Sequence, residues 1–379
     1  MNDYFEQPFE YLRRKETGEK FEKEVCDNWY KARAFVLDKL SDVAFHPASR
    51  EHLCVVVHGD SPLMLSVVRQ VALLAHYINY DEENEDETKR KRTVITIVSQ
   101  NPRIVDELQK EEYLCNLPKY CKWSLDGIVH HKDSFIDIEL ELIGECTVVE
   151  REDLKVIKEE DVELFCRQKP EKEVFWIDTR KAQYANRMYS LGKEIDNLPY
   201  EDIHDVRRYA MALNVFQFIK MEKDPGKMIN EEEWENEQKQ INVLMALSNI
   251  FCSDCFRIRY NSIKPFCGKG KMTDSQALEK YYAELSKSEH ARWVVEKLIL
   301  GFRPMNAQER LLDERLICNK EAKMQFRNSI KTNWKSPVHI DLCSFADLRR
   351  IDPDNMKYDS FLMLGISEIL KKVGEVPLA

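Results

Sequence analysis

The chain has 379 residues, 43% hydrophobic and 33% charged, enough for a core spread over about two domains and inconsistent with a disordered chain. Its 57 basic side chains against 67 acidic ones leave a formal charge of −10, which repels phosphate backbones and anionic membranes and excludes a general nucleic-acid coat protein. No apolar run approaches the roughly 20 residues that cross a bilayer, and Met1 to Arg14 lacks a signal-peptide pattern, so a cytoplasmic protein without a transmembrane segment is expected.

Eleven cysteines follow no repeating spacing, which suits buried thiols in a reducing compartment. Cys252 and Cys255, with Cys267 beyond them, lack the second ligand pair that structural zinc requires. No metal is expected.

Residues 1–49 carry aromatic and aliphatic side chains at helical spacing and read as a helical segment covering the domain that follows. Leu53 to Gly59 is an apolar run ending in glycine, and Ser61 to Tyr80 then places Leu65, Val68, Ala72 and Leu73 at helical intervals: strand, turn, helix. An acidic block, Asp81 to Glu87, abuts Lys89 to Arg92 and reads as a solvated loop before the strand Thr93 to Val98. Asn101-Pro102 opens a helix to Leu108, Phe135 to Leu142 alternates with period two, and Glu173 to Asp178 is a further strand before a helix at 182–195. This alternation predicts a doubly wound parallel sheet with helices on both faces over 50–198. Residues 199–272 read as a helical connector ending in a turn-rich junction, Cys252 to Met272, and 273–379 as a separate helical domain.

In such a sheet a ligand sits where strands end and helix N-termini begin, which points to His58-Gly59-Asp60-Ser61-Pro62. Gly59 permits the turn, Ser61 can cap the helix or touch a phosphate, and Pro62 suits the first helical position. The three-glycine dinucleotide fingerprint is incomplete, and Asp60 puts negative charge where pyrophosphate would lie. Dinucleotide binding, a smaller ligand and a purely structural or dimerising sheet therefore all stay open. The layout is similar to the Rossmann-like regulatory domains of potassium-uptake systems, the TrkA-N or RCK type.

Toward the C-terminus, Glu289-His290-x-Arg292-Trp293 is followed by Glu296 and Gly301-Phe302, then His339, Leu342, Phe345 and Leu348, then Lys357-Tyr358-Asp359 and a closing apolar stretch. Across about 275–372 these blocks resemble the RyR domain, the helical repeat named from ryanodine receptors. Ile340 and Ser344 replace two prolines of that pattern, and 307–335 is longer than its usual connection. The resemblance implies a ligand pocket formed by Glu289, Arg292, Trp293, Glu296, Tyr358 and Asp359. Trp293 can stack on a base or cap a core, and Arg292 can pair with phosphate, Glu289 or Asp359.

Two classes of function follow. One is a non-enzymatic sensor of a nucleotide or nucleotide-derived signal, of the kind the resemblance associates with bacterial stress or antiviral signalling, acting on a partner and forming a homodimer. The other is an enzyme holding NAD or another nucleotide, with His58 or Asp178 supplying chemistry. No nucleophile–base pair, Walker loop or zinc cluster has motif-level spacing, so no catalytic residue is assigned and the sensor leads, with a dimerising scaffold as a third reading.

Overall fold

In the computed structural model, residues 32–144, 165–178 and 248–366 are described, except for positions within those ranges that include Asp60, Lys357 and Tyr358; for 165–178 only the backbone is described. The helix expected at 182–195 and the connector from residue 199 to residue 247 lie outside the described residues.

Strands β1 (His52–His58), β2 (Thr93–Val98), β3 (Lys122–Leu125), β4 (Ile128–His131), β5 (Ile138–Ile143), β6 (Phe165–Lys169) and β7 (Lys172–Asp178) form one sheet in the order β4-β3-β5-β2-β1-β7-β6. The five inner strands run parallel, and β4 and β6 are antiparallel edges. The mainly parallel α/β sheet expected from the strand–helix alternation is present. Three strands, β3, β4 and β6, are additions to the sequence reading. β3 and β4 are joined by Asp126-Gly127, both with positive φ, 46° and 82°, the two-residue turn that matches strand twist.

Helices are α1 (Pro62–Leu74), α2 (Ile104–Leu108), α3 (Leu117–Tyr120), α4 (Phe256–Ile263), α5 (Asp274–Lys280), α6 (Tyr282–Ile299), α7 (Ala307–Arg315), α8 (Lys320–Lys331) and α9 (Phe345–Ile351). Every residue of α1 from Met64 to Leu74 is buried, polar Arg69 and Gln70 included. The sequence reading gave this helix one apolar face. It is covered on the other side as well, because α6 lies against it and makes a third layer.

One continuous core holds Val55, Val57, Ile95, Ile97 and Leu140 of the sheet, Val68 and Val71 of α1, and Val294, Val295, Leu298 and Ile299 of α6. At roughly 1.5–3 kcal/mol per fully buried aliphatic side chain, the four α6 residues contribute on the order of 6–12 kcal/mol before entropy is counted. The division expected at 272/273 is therefore no boundary in the packing. Ala32, Val36 and Leu40, spaced by four in helical backbone, enter the same core. Helices α1, α2, α3 and α6 all join the cluster on the Val55 face. The opposite face carries a small cluster of Cys54, Val56, Val98 and Ile143, so helices on both faces are not seen among the described residues.

Two further expectations are corrected. The turn-rich junction from Cys252 contains α4, and Cys252, Cys255, Phe256, Ile258 and Ile263 are buried, because these apolar residues fill the space beside α6. The acidic block is engaged rather than merely solvated. The Glu82 carboxylate accepts the amide N–H groups of Phe345 (3.1 Å) and Ala346 (2.8 Å), and Glu83 pairs with Lys287 at 3.2 Å. At the other end of α6, the Asn116 side chain donates to the carbonyls of Gly301 (2.7 Å) and Phe302 (3.0 Å), and its backbone N–H donates to Leu298. The Leu298 carbonyl in the last turn of α6 and two carbonyls just beyond that helix are thus bonded from another part of the chain.

Candidate functional site

At the first turn the local chemistry follows the sequence. β1 ends at His58, Gly59 adopts φ 142°, and its N–H donates to the Val98 carbonyl at 3.1 Å. The Ser61 hydroxyl accepts from the Met64 N–H at 3.3 Å, and Pro62 takes the first position of α1. This hydroxyl is thus committed to the cap. His58 is buried, in register with Val98 on one side and Asp178 on the other. Asp60 lies outside the described residues.

Strand order makes this edge distinctive. From β1 the chain builds outward through β2 and β5, whereas β7 joins the other side of β1. Succession reverses at β1, and in open α/β sheets ligands bind at such a switch point, beyond the C-terminal ends of the strands. The thirteen-residue α1 points its first N–H groups and the positive end of its dipole at the same edge.

The second candidate group has a different character. Glu289, Arg292 and Glu296 do share a face of α6, but all three are at most 1% exposed. Arg292 donates to Glu289 through Nε (3.0 Å) and Nη2 (2.8 Å), and to Glu296 through Nη1 (2.6 Å). Arg259 of α4 reaches Glu289 at 2.7 Å, while Lys297 (2.5 Å) and the Ser248 hydroxyl (2.9 Å) complete Glu296. Burial alone would raise the Glu289 carboxyl, but Arg292 and Arg259 outweigh it and hold it below the usual range. Burial would likewise lower the Arg292 guanidinium, but Glu289 and Glu296 keep it well above its ordinary value. The face expected to line a pocket is an internal ion-pair network.

Trp293 is partly buried against the core. Its ring meets His339 edge-on at 4.7 Å, and the Lys297 ammonium lies 5.6 Å from its centre. Burial pushes His339 down to about 3, with Lys331, Lys297 and His290 adding to the effect, so this ring is a neutral packing partner. Asp359 meets His290 at 3.3 Å rather than Arg292, and Tyr358 lies outside the described residues. The other nitrogen of His290 faces the Cys343 carbonyl at 2.9 Å. Burial would lower His290, but acceptors at both nitrogens hold it protonated, well above its usual value.

Arg259 and His290 are the residues that sequence reasoning left without a role. An arginine among Phe256, Ile258 and Ile263 was the available signal, since a cation that falls beside the buried apolar residues of a helix needs a buried anion. Between the sheet half and α6, a cleft lined by Tyr80, Glu82, Phe135, Lys287, His290 and Val294 admits little more than a water molecule. Among the described residues no cluster of three or more His, Cys, Asp or Glu side chains is placed to hold a metal, and no helix is long and apolar enough to cross a membrane. Comparison with family models, curated proteins and solved structures yields no match.

Proposed function

We propose that this chain is a non-enzymatic, nucleotide-binding regulatory protein whose ligand enters at the C-terminal edge of β1 and β7, beside Gly59 and Ser61. The observation that carries the reading is the reversal of strand order at β1, coinciding with the start of α1. Backbone N–H groups and the helix dipole there suit a phosphate, and glycine at residue 59 lets one approach the backbone. The turn fits the Rossmann-like expectation. The RyR-like segment then acts as a third layer clamped to the sheet, and its Glu289–Arg292–Glu296 face supports the fold rather than contacting ligand.

The test is a set of nucleotides, ATP and NAD among them, mixed with the full chain while melting temperature and nucleotide turnover are followed. A thermal shift without turnover supports the sensor, turnover supports an enzyme, and neither supports a scaffold. Ser61→Asp sharpens the test. Aspartate caps a helix as well as serine but places a negative charge where the phosphate binds. Lost binding with unchanged melting supports this edge, and unaltered binding removes it.

A further inference from the structure

Asp341 lies in the loop that leads from residue 339 into α9, and only 6% of it is exposed. Its Oδ2 accepts from the Asn355 side chain at 2.8 Å, while its Oδ1 is buried and has no hydrogen-bond partner. A carboxylate shielded from water in this way is costly unless a cation or several donors stand beside it. The loop also matters to the packing. The Cys343 carbonyl accepts from His290 of α6 at 2.9 Å, and the N–H groups of Phe345 and Ala346 hold Glu82 of the sheet half.

Among the described residues, the charged or titratable groups that face Asp341 are His339 and Cys343 of its own loop, Asp352 beyond α9, Arg327 of α8 and His290 of α6. None of them balances its charge. Arg327 is committed to Asp313 (2.7 Å) and Asp352 (3.1 Å), and His290 to Asp359 (3.3 Å) and the Cys343 carbonyl. His339 Nδ1 lies 3.7 Å from Oδ2, but it accepts the Asp341 N–H at 3.4 Å and its ring is neutral, so a lone pair rather than a proton faces the carboxylate. Burial, with the like charge of Asp352 added, pushes the Asp341 carboxyl up to about 6 against the opposing pull of Asn355, His290 and Arg327.

We propose that Asp341 is a proton-operated latch: mild acid neutralises it, the new O–H bonds to the His339 Nδ1 lone pair, and the loop with α9 is held more tightly to α6 than at neutral pH. Closing the 3.7 Å separation by about 0.7 Å makes that bond. The folded value lies above the ordinary 3.8, so the stability this carboxyl contributes is full below pH 3.8 and is lost as pH rises through about 6. His339 acts in the opposite sense, so the latch is read as a difference between variants. It is separate from the proposed ligand edge and does not depend on it.

The experiment follows thermal unfolding of the full chain and of Asp341→Asn, which keeps an acceptor for Asn355 without the charge, from pH 8 to pH 5. A rise of about two pH units is roughly 100-fold in proton affinity, so the variant should melt at least about 3 °C above the unaltered chain at pH 8. That gain should fall to about half by pH 5, as the unaltered chain takes up its proton. Carbon-13 NMR of labelled aspartate carboxyls should show one resonance that titrates between pH 5 and pH 7 and is missing from the variant. The proposal is overturned if the gain at pH 8 is smaller, if it does not shrink with falling pH, or if no such resonance disappears. Failure of both Asp341→Asn and Asp341→Ser to fold also overturns it, because the fold would then need the charge.

Discussion

Replacing Arg292 by methionine removes the charge at the centre of the buried network while keeping the length of the side chain. Glu289 then retains Arg259 and the Cys252 thiol, and Glu296 retains Lys297 and Ser248. Three hydrogen-bonded arms of one guanidinium are lost in a site at most 1% exposed. Removing one partner of a buried ion pair costs about 3–5 kcal/mol, because the carboxylates left behind are dehydrated without compensation. At about 2–4 °C per kcal/mol for domains of 150–250 residues, melting should fall on the order of 10 °C. Arg292→Lys should lie between the two, since an ammonium makes point contacts where the guanidinium forks. The assay is thermal unfolding of the full chain by circular dichroism at neutral pH, paired with nucleotide affinity. If Arg292 instead faced a ligand, binding would collapse with little change in melting. A fall below about 3 °C, the equivalent of roughly one kcal/mol, would refute the reasoning.

Trp293→Ala should lower melting and leave nucleotide affinity unchanged, since its ring packs on His339 and the core; weakened binding at unchanged melting would return Trp293 to a pocket. Asn116→Ala strands the carbonyls of Gly301 and Phe302 and should cost about 1–3 kcal/mol, with faster amide exchange at the end of α6 as the local readout. His339 falls from 6.5 to about 3 on folding, so the unfolded chain takes up a proton that the folded chain refuses. Stability from this residue is present above its unfolded value and is lost as pH falls from 6.5 toward 3; His339→Gln should flatten that limb of a pH–melting curve. A fragment of residues 273–379 should fail to unfold cooperatively, because Val294, Val295, Leu298 and Ile299 lose the surface that buries them.

Much of the sheet was legible because buried parallel strands are written as uninterrupted β-branched runs, as in Val55–Val57 and Thr93–Val98. The turn after His58 was legible because glycine permits the turn, serine suits the helix cap and proline suits the first helical position. The hairpin of β3 and β4 was hidden by its polar, four-residue strands, although Asp126-Gly127 marks its turn. The α6 site was read correctly as a shared helical face and incorrectly as an open one. Helical periodicity places Glu289, Arg292 and Glu296 together, but it carries no information about Arg259, thirty residues away in sequence, which closes them off. The same blindness applies to α1, whose outer face is covered by a helix more than two hundred residues downstream.

The contacts that close the third layer join residues far apart along the chain: 185 positions separate Asn116 from Gly301 and 264 separate Glu82 from Ala346. During synthesis at about 5–20 residues per second, the segment carrying Asn116 waits on the order of 10–40 s before residue 301 is made. Until then α1 carries its second apolar side uncovered, and the sheet half cannot reach its final stability. Such non-local closure also slows folding of the finished chain, since distant segments must meet before their burial is rewarded. Production of this protein is therefore expected to be more sensitive to translation rate and chaperone supply than its equilibrium stability alone would indicate.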